Sequence, residues 1–186
     1  MIRDYIAVDV ETTGLNPARD RLLEIGAARI LNGKVEETYQ TFIDAGVEVP
    51  ERITELTGIT DEMRLSGKRP EQAIPEFLEF CGELPILGHN VSFDFGFLKQ
   101  AAVNQGLTFE REALDTLKIA RKLLPDLPSR RLPDLCAHWM MRYPHIFCCG
   151  ICGKRSKRQL RKNLPFIRWC IRLRSSVLLR NHKKPT

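Results

Sequence analysis

Apolar and polar residues alternate along the first part of the chain, which is the pattern of half-buried β-strands. In DYIAVDVETTG, residues 4–14, Asp9 and Glu11 share one face and the opposite face is apolar. Two further strand-like runs, RLLEIGAARIL and KVEETYQTFID, are separated by Asn32 and Gly33, the dipeptide most typical of a tight hairpin. We therefore expect three antiparallel strands at the start of the chain.

The pattern becomes mainly helical after the third strand. The turn-rich segment PERITELTGITDEM predicts short helical pieces, and we expect a longer helix to begin at Pro75, because a fixed φ suits a first turn. LPILGHN predicts a short buried strand. SFDFGFLKQAAVNQG predicts a helix that is capped by Ser92 and ended by Gly106.

Two more helices are predicted in the residues that follow. EALDTLKIARKLLP has leucines at helical spacing and stops at Pro125, and RRLPDLCAHWM is a second such run. Strands first, then strands and helices in alternation, predict the α/β class, a mixed sheet with helices packed against it. The periodicity is lost past Tyr143.

Charge divides the chain into two parts. Residues 1–134 contain 16 Lys and Arg and all 23 Asp and Glu, whereas residues 135–186 contain 13 Lys and Arg and no acid. The 186 residues are 43% apolar, which is enough for one sizeable core. We therefore expect one domain over residues 1–145, followed by a basic, Cys-containing tail over residues 146–186.

Targeting signals are not apparent in the sequence. The N-terminus lacks the apolar core and cleavage site of a signal peptide, and the longest charge-free apolar run of the tail is shorter than the ~18 residues of a membrane span. The body contains only Cys81 and Cys136, which is typical of a reducing compartment. We expect a cytoplasmic protein without a membrane span.

Asp9 and Glu11 are the first candidates for chemistry. Residues two apart on a strand point to the same side, with Cα atoms roughly 6.5–7 Å apart. Two like charges on a half-buried strand are unfavourable unless a positive group joins them, and oxygen ligands favour Mg²⁺ or Mn²⁺. The plainer interpretation is a solvated strand end, since such a pair is common by itself.

Asp94 favours the metal interpretation. It lies on the first turn of its predicted helix, and Leu98 and Ala101 follow on the same, inward face. An acid on such a face is either buried and paired or part of a site. A favourable interaction with the helix N-terminus would contribute only about 0.3–1 kcal/mol and would not account for the three phenylalanines around it.

Several separated segments resemble one known family in order and spacing. They are VDVETTGLNPARDRLLEIGAARI, ITELTGITDEM, LGHNVSFDFGFL and LDTLKIARKLLPDLPSRRLPDLCAHW. Together they resemble the proofreading-type 3′–5′ exonucleases, the histidine-bearing branch of the four-acid (DEDD) superfamily, as in the exonuclease subunit or domain of bacterial DNA polymerase III. The likeness covers residues 4–145 and is specific, because separate blocks agree. It implies a ribonuclease H-like α/β fold, a mixed sheet flanked by helices.

The resemblance also implies a two-metal site. Asp9 would bridge two Mg²⁺ or Mn²⁺ ions, Glu11 would hold the ion that carries the attacking water, and Asp94 would help hold the ion near the leaving 3′ oxygen. The residues implied to contact the terminal nucleotides are Thr12, Thr13, Leu15, Asn90 and Phe93. Contacts of this kind are tolerant of base identity.

The last motif of the family is incomplete in this sequence. It consists of a His that acts as general base, four further residues and the final metal-binding Asp. His145 stands at the place of that His, but Gly150 stands where the Asp belongs, and no acid follows Asp134. His138 does not restore the motif, because Tyr143 occupies the matching position. One ligand of the two-metal site is therefore missing.

The abrupt change of charge and periodicity at this motif is what a reading-frame shift produces, and we interpret residues 146–186 in that way. Other interpretations are a solvated terminus, a basic segment for an anionic membrane surface, a non-specific DNA-binding arm, and half of a zinc site at Cys149 and Cys152. We expect no zinc, because a structural site needs a second pair of ligands at matching spacing.

Two functions follow from these observations. The first is a metal-dependent 3′–5′ exonuclease that acts on single-stranded or frayed DNA 3′ ends in replication or repair, with a replicative DNA polymerase as the implied partner and with impaired cleavage. The alternative is a catalytically inactive nucleic-acid-binding remnant that lacks the fourth metal-binding Asp.

Overall fold

The computed structural model describes residues 3–129. Five strands form one sheet: β1 Tyr5–Thr12, β2 Leu22–Leu31, β3 Lys34–Phe42, β4 Ile86–Gly88 and β5 Ala113–Asp115. The helices are α1 Glu51–Thr57, α2 Asp61–Leu65, α3 Pro70–Cys81, α4 Ser92–Val103 and α5 Thr116–Leu123. The sequence expectations for residues 130–186, namely the RRLPDLCAHWM helix, His145, the boundary at residue 145 and the basic tail, lie outside the described residues.

The strand order is β3-β2-β1-β4-β5. The first three strands are antiparallel, as the hairpin signal predicted, and β4 and β5 run parallel to β1. Asn32 and Gly33 both have positive φ, 51° and 72°. Positive φ at both residues of a two-residue turn matches the right-handed twist of the strands on either side. The sheet is therefore mixed and is flanked by helices.

β1 is the central strand and both of its faces are packed. Its apolar face carries Ile6, Val8 and Val10, which join one core with residues of α3 and α4 such as Phe77 and Leu98. The opposite face starts with Tyr5 and Ala7, which are buried in a second cluster. Asp9 and Glu11 continue this second face at the carboxyl end of the strand, where exposure increases. Both acids therefore lie at an open end of an otherwise buried strand.

The expected start of the third helix is wrong. The helix α3 begins at Pro70, which occupies the first helical turn, and Pro75 lies inside it. Because Pro75 has no backbone N–H, α3 has one backbone hydrogen bond fewer at this position. Ala73 and Ile74 are nevertheless buried in the core, so packing extends the helix toward its N-terminus.

The boundaries of the next two elements also differ from the sequence expectations. Ser92 is the first residue of α4 and makes no capping hydrogen bond; Val91 precedes it. Gly106, with φ of 70°, follows the end of α4 after a short turn. Residues 113–115 form a strand rather than a helical turn, because they pair with β4, and α5 begins only at Thr116.

No helix among residues 3–129 has the length and apolar character that a membrane crossing requires.

Candidate active site

The short length of β4 exposes part of the β1 backbone. Ala7 is the last β1 residue that pairs with β4, so Val10 lies beyond the end of that neighbouring strand. The Val10 N–H donates instead to Asp94 Oδ1 at 3.0 Å. This bond docks the first turn of α4 against β1 between Asp9 and Glu11. The structure thus brings the sequence-predicted Asp94 to the strand that carries the other two acids.

Asp94 is 5% exposed, and its surroundings disfavour a negative charge. Burial, together with the charges of Asp9 and Asp115, raises the pKa of Asp94 to about 8, and the Val10 hydrogen bond offsets only part of these effects. Without a positive group, the carboxyl is therefore mainly protonated at neutral pH. A nearby cation would favour the ionised form.

The donor chemistry of the site fits a hard divalent cation. Asp9, Glu11 and Asp94 offer carboxylate oxygens, the ligands that Mg²⁺ and Mn²⁺ prefer. Ionised Asp94 would be a buried charge near the charge of Asp9, and a cation would compensate it. Within residues 3–129, however, no three acidic, His or Cys side chains are arranged as a group that could hold a metal ion. The side chains therefore match a cation in type, although they do not form a closed ligand set.

Glu24 is a further acid at this site that the sequence analysis did not identify. It lies on β2 directly opposite Glu11, and it is buried. Its Oε1 accepts a hydrogen bond from Gln40 Nε2 at 2.8 Å. Burial raises the pKa of Glu24, the Gln40 bond lowers it in part, and the charge of Asp9 raises it again. An acid inside the apolar run LLEIGAARI was the available signal.

The loop between β1 and β2 is held by its own hydrogen bonds. The Thr12 hydroxyl donates to the Gly14 carbonyl at 2.5 Å, and the Thr13 hydroxyl accepts from the Arg21 N–H at 3.0 Å. The Thr13 N–H donates in turn to the Arg21 carbonyl at 2.9 Å. Both threonine hydroxyls therefore stabilise the loop, whereas Leu15 is 82% exposed. Of these three predicted nucleotide contacts, the leucine is the one whose side chain is presented to solvent.

Gly14 is packed against the carboxylate of Asp20, and a β-carbon at Gly14 would overlap it. Asp20 cannot move away without breaking the hydrogen bond that its Oδ2 accepts from the Asn16 N–H at 2.8 Å. We expect Gly14→Ala to distort the loop and to weaken binding of a single-stranded oligonucleotide about three- to tenfold, measured by fluorescence anisotropy.

Gly96→Ala is the matched control for Gly14→Ala. A β-carbon at Gly96, inside α4, would be 3.4 Å from Pro17 Cγ, an ordinary contact, and alanine favours a helix. This variant should keep the affinity and should not lower the unfolding midpoint. Equal oligonucleotide affinities of the two variants would contradict a role of the β1–β2 loop in binding.

The remaining predicted residues lie where β4 leads into α4. Asn90 is exposed and has a φ of 64°, and its N–H donates to Asp115 Oδ1 at 3.0 Å. Phe93 is half-buried, with its ring centroid 5.0 Å from that of Phe97. Both residues border the end of β4, near Asp94. His145, the expected general base, lies outside the described residues.

The fold and the acidic end of β1 define a class of protein. Residues 6–143 match the family model described as exonuclease, and the chain belongs to this exonuclease family of phosphodiester hydrolases. The sequence-based family assignment to the proofreading-type exonucleases is thereby confirmed.

Relatives of known name are forms or subunits of DNA polymerase III. The DNA polymerase III PolC-type of Clostridium perfringens is 36% identical over 135 residues, which are 73% of this chain and 9% of that protein. The DNA polymerase III subunit epsilon of Aquifex aeolicus is 35% identical over 132 residues, 70% of this chain and 65% of that protein. The chain thus spans about a tenth of the length of the PolC-type relatives it matches.

Solved structures show the same architecture. Exonuclease X in complex with 5′ overhanging duplex DNA gives a TM-score of 0.67 at 19% identity, over 91% of this chain and 92% of that chain. Escherichia coli exonuclease I in complex with a dT13 oligonucleotide gives 0.64 at 22% identity, over 73% of this chain and 35% of that chain. These similarities confirm the predicted ribonuclease H-like fold.

Proposed function

We propose that the chain is a metal-dependent 3′–5′ exonuclease that acts on DNA 3′ ends and cleaves slowly. The observation that carries this proposal is the hydrogen bond from Val10 N–H to Asp94 Oδ1, which joins the acid of α4 to the backbone of the β1 residue that lies between Asp9 and Glu11 in the sequence. The PolC-type and epsilon relatives support DNA as the substrate and a replicative DNA polymerase as the partner. Slow cleavage is proposed because Gly150 replaces the fourth acid.

In this proposal Asp9, Glu11 and Asp94 hold Mg²⁺ or Mn²⁺. The cations would supply positive charge to the phosphodiester that is hydrolysed. Asp94 has a second role, because its bond to Val10 fixes α4 against β1 and thus sets the distance between the acids. His145 is proposed to accept a proton as general base.

The proposed path of the DNA strand runs between the β1–β2 loop and the end of β4. Leu15 offers an exposed apolar side chain, and Asn90 offers an exposed amide on a fixed backbone. Phe93 offers part of an aromatic ring, on which any base can stack. None of these groups selects one base, so we expect digestion to be independent of sequence.

The test is digestion of a 5′-labelled single-stranded DNA by the purified full chain with Mg²⁺ or Mn²⁺. We expect a ladder that shortens from the 3′ end, that disappears in chelator, and that Asp9→Asn reduces by at least about a hundredfold. Asp126→Asn, an exposed acid outside the site, should leave the rate unchanged. A folded sample without digestion, or with digestion that Asp9→Asn does not affect, would contradict the proposal.

The absence of the fourth acid favours one second candidate, a DNA-end-binding protein without catalysis. Gly150 removes a metal ligand, but it leaves the residues around Leu15 and Asn90 unchanged. This candidate predicts oligonucleotide binding by anisotropy together with no product after long incubation with either metal. Product formation that depends on Asp9 would exclude it.

A further inference from the structure

The junction of β5 and α5 holds the backbone at the end of β4. Asp115, the last residue of β5, is 8% exposed. Its Oδ1 accepts backbone N–H groups of Leu117 at 2.8 Å and Lys118 at 3.4 Å, which caps the first turn of α5. The same oxygen accepts the Asn90 N–H at 3.0 Å. One carboxylate oxygen therefore connects a helix cap to the segment that follows β4.

Thr116 makes a second connection to the same segment. Its hydroxyl is fully buried and donates to the Gly88 carbonyl at 3.1 Å. It also lies 3.0 Å from His89 Nδ1. Because the single hydroxyl hydrogen is used by Gly88, His89 Nδ1–H is the donor in this second contact. Two consecutive residues thus fix three consecutive residues, Gly88 to Asn90.

The fixed segment includes a backbone conformation that is unfavourable without support. Asn90 has a φ of 64°, the left-handed region that costs a non-glycine residue about 1 kcal/mol. The bond to Asp115 offsets part of this cost and orients the exposed Asn90 side chain. Two residues later the chain enters α4, which carries Asp94.

We propose that Asp115 and Thr116 are positioning residues for binding of the DNA 3′ end, and that they act by holding Asn90 in its left-handed conformation. The inference rests on the proposed function. Asp115 and Thr116 do not touch the substrate in this proposal. Asn90 makes the contact, and they determine where its amide lies.

The experiment compares Asp115→Ala, which removes the acceptor oxygen, with Asp115→Asn, which keeps an Oδ1 acceptor and a good helix cap. Affinity of the full chain for a 5′-fluorescein single-stranded DNA is measured by anisotropy in chelator, and KM and kcat are measured with Mn²⁺. We expect Asp115→Ala to weaken binding and raise KM about tenfold, with kcat changed less than about threefold. Asp115→Asn should restore the wild-type values.

Three further variants separate positioning from folding. Thr60→Ala removes the cap of α2, which is another helix outside the site, and should leave DNA affinity unchanged. Thr116→Val keeps the side-chain volume without the hydroxyl and should weaken binding, whereas Thr116→Ser should not. In an Asn90→Gly background, which keeps the left-handed conformation, Asp115→Ala should weaken binding by less than about twofold.

Two results would overturn the inference. One is unchanged affinity of both Asp115→Ala and Thr116→Val, of which the second conserves shape and should fold. The other is a full loss caused by Asp115→Ala in the Asn90→Gly background, since Asp115 would then act on another group. A wild-type chain that binds DNA without cutting it would refute the proposed catalysis but leave this test intact. A wild-type chain that does not bind DNA would refute both.

Discussion

In a metal-free buffer at pH 9, Asp94→Asn is expected to raise the thermal unfolding midpoint by on the order of 10 °C. The cause is the pKa of Asp94, which burial and the neighbouring Asp9 raise from 3.8 to about 8. A difference of this size corresponds to on the order of 5 kcal/mol of unfavourable charge in the folded state. Each kcal/mol shifts the midpoint of a chain this long by about 2–4 °C.

The sign follows from proton linkage. Between pH 3.8 and about 8 the unfolded chain has lost the Asp94 proton while the folded chain keeps it, so the wild type loses stability as pH rises. The advantage of Asp94→Asn should therefore be small at pH 5 and reach its full value above pH 8. The amide oxygen of Asn can still accept the Val10 N–H, so the substitution removes charge and keeps the bond.

Asp61→Asn provides a control of opposite sign. The hydrogen bond from Arg64 lowers the pKa of Asp61, so its ionised form stabilises the folded state. Asp61→Asn should therefore lower the unfolding midpoint at pH 7 to 9, with the effect lost toward low pH.

Mg²⁺ or Mn²⁺ should stabilise the wild type against unfolding but should not stabilise Asp94→Asn. The Asp94→Asn variant should also digest DNA at least about a hundredfold more slowly than the wild type. An Asp94→Asn midpoint equal to that of the wild type at pH 9 would contradict the argument.

Phe77→Ala is expected to lower the free energy of unfolding by about 3–5 kcal/mol. Phe77 is fully buried in α3, and its ring contacts Tyr39 and Phe109, with centroids 5.8 and 6.1 Å away. Truncation leaves a cavity between α3, β3 and the segment before β5. The measurement is urea unfolding at constant pH, with the midpoint and the slope both fitted.

The control for Phe77→Ala is Leu56→Ala in α1. Leu56 is 71% exposed, so its truncation should change the free energy of unfolding by less than about 0.5 kcal/mol. A loss below about 1 kcal/mol for Phe77→Ala, with an unchanged slope, would show that the core between α3 and β3 is not packed as described.

Local patterns were sufficient to predict the first half of the sheet. The alternation in β1 and the Asn32-Gly33 turn act over a few residues, and the structure confirms three antiparallel strands. The family resemblance then related Asp94 to Asp9 and Glu11 across more than eighty residues. Periodicity alone could not have done this, because the contact depends on where β4 ends.

The parts that the sequence analysis missed depend on contacts between distant residues. Leu114 lies at helical spacing from the leucines that follow it, but pairing with β4 makes residues 113–115 a strand. Glu24 becomes part of the site only through its register opposite Glu11. The helical spacing predicts Asp115 inside a helix, whereas its carboxylate caps α5 and accepts the Asn90 N–H. Cross-strand register and capping partners depend on tertiary contacts, which cannot be predicted from residue spacing along the chain.

The early end of β4 also determines where the chain tolerates insertions and deletions. Asp94 reaches Val10 only because α4 starts a fixed number of residues after Gly88. One residue added between Gly88 and Ser92 would move Asp94 one position further from the end of β4, and restoring its contact with Val10 would require the first turn of α4 to shift by one residue, which is about 100° of helix rotation. The exposed stretch 46–48 carries no such constraint. Length variation should therefore be confined to surface turns, while the link from β4 to α4 keeps a constant number of residues.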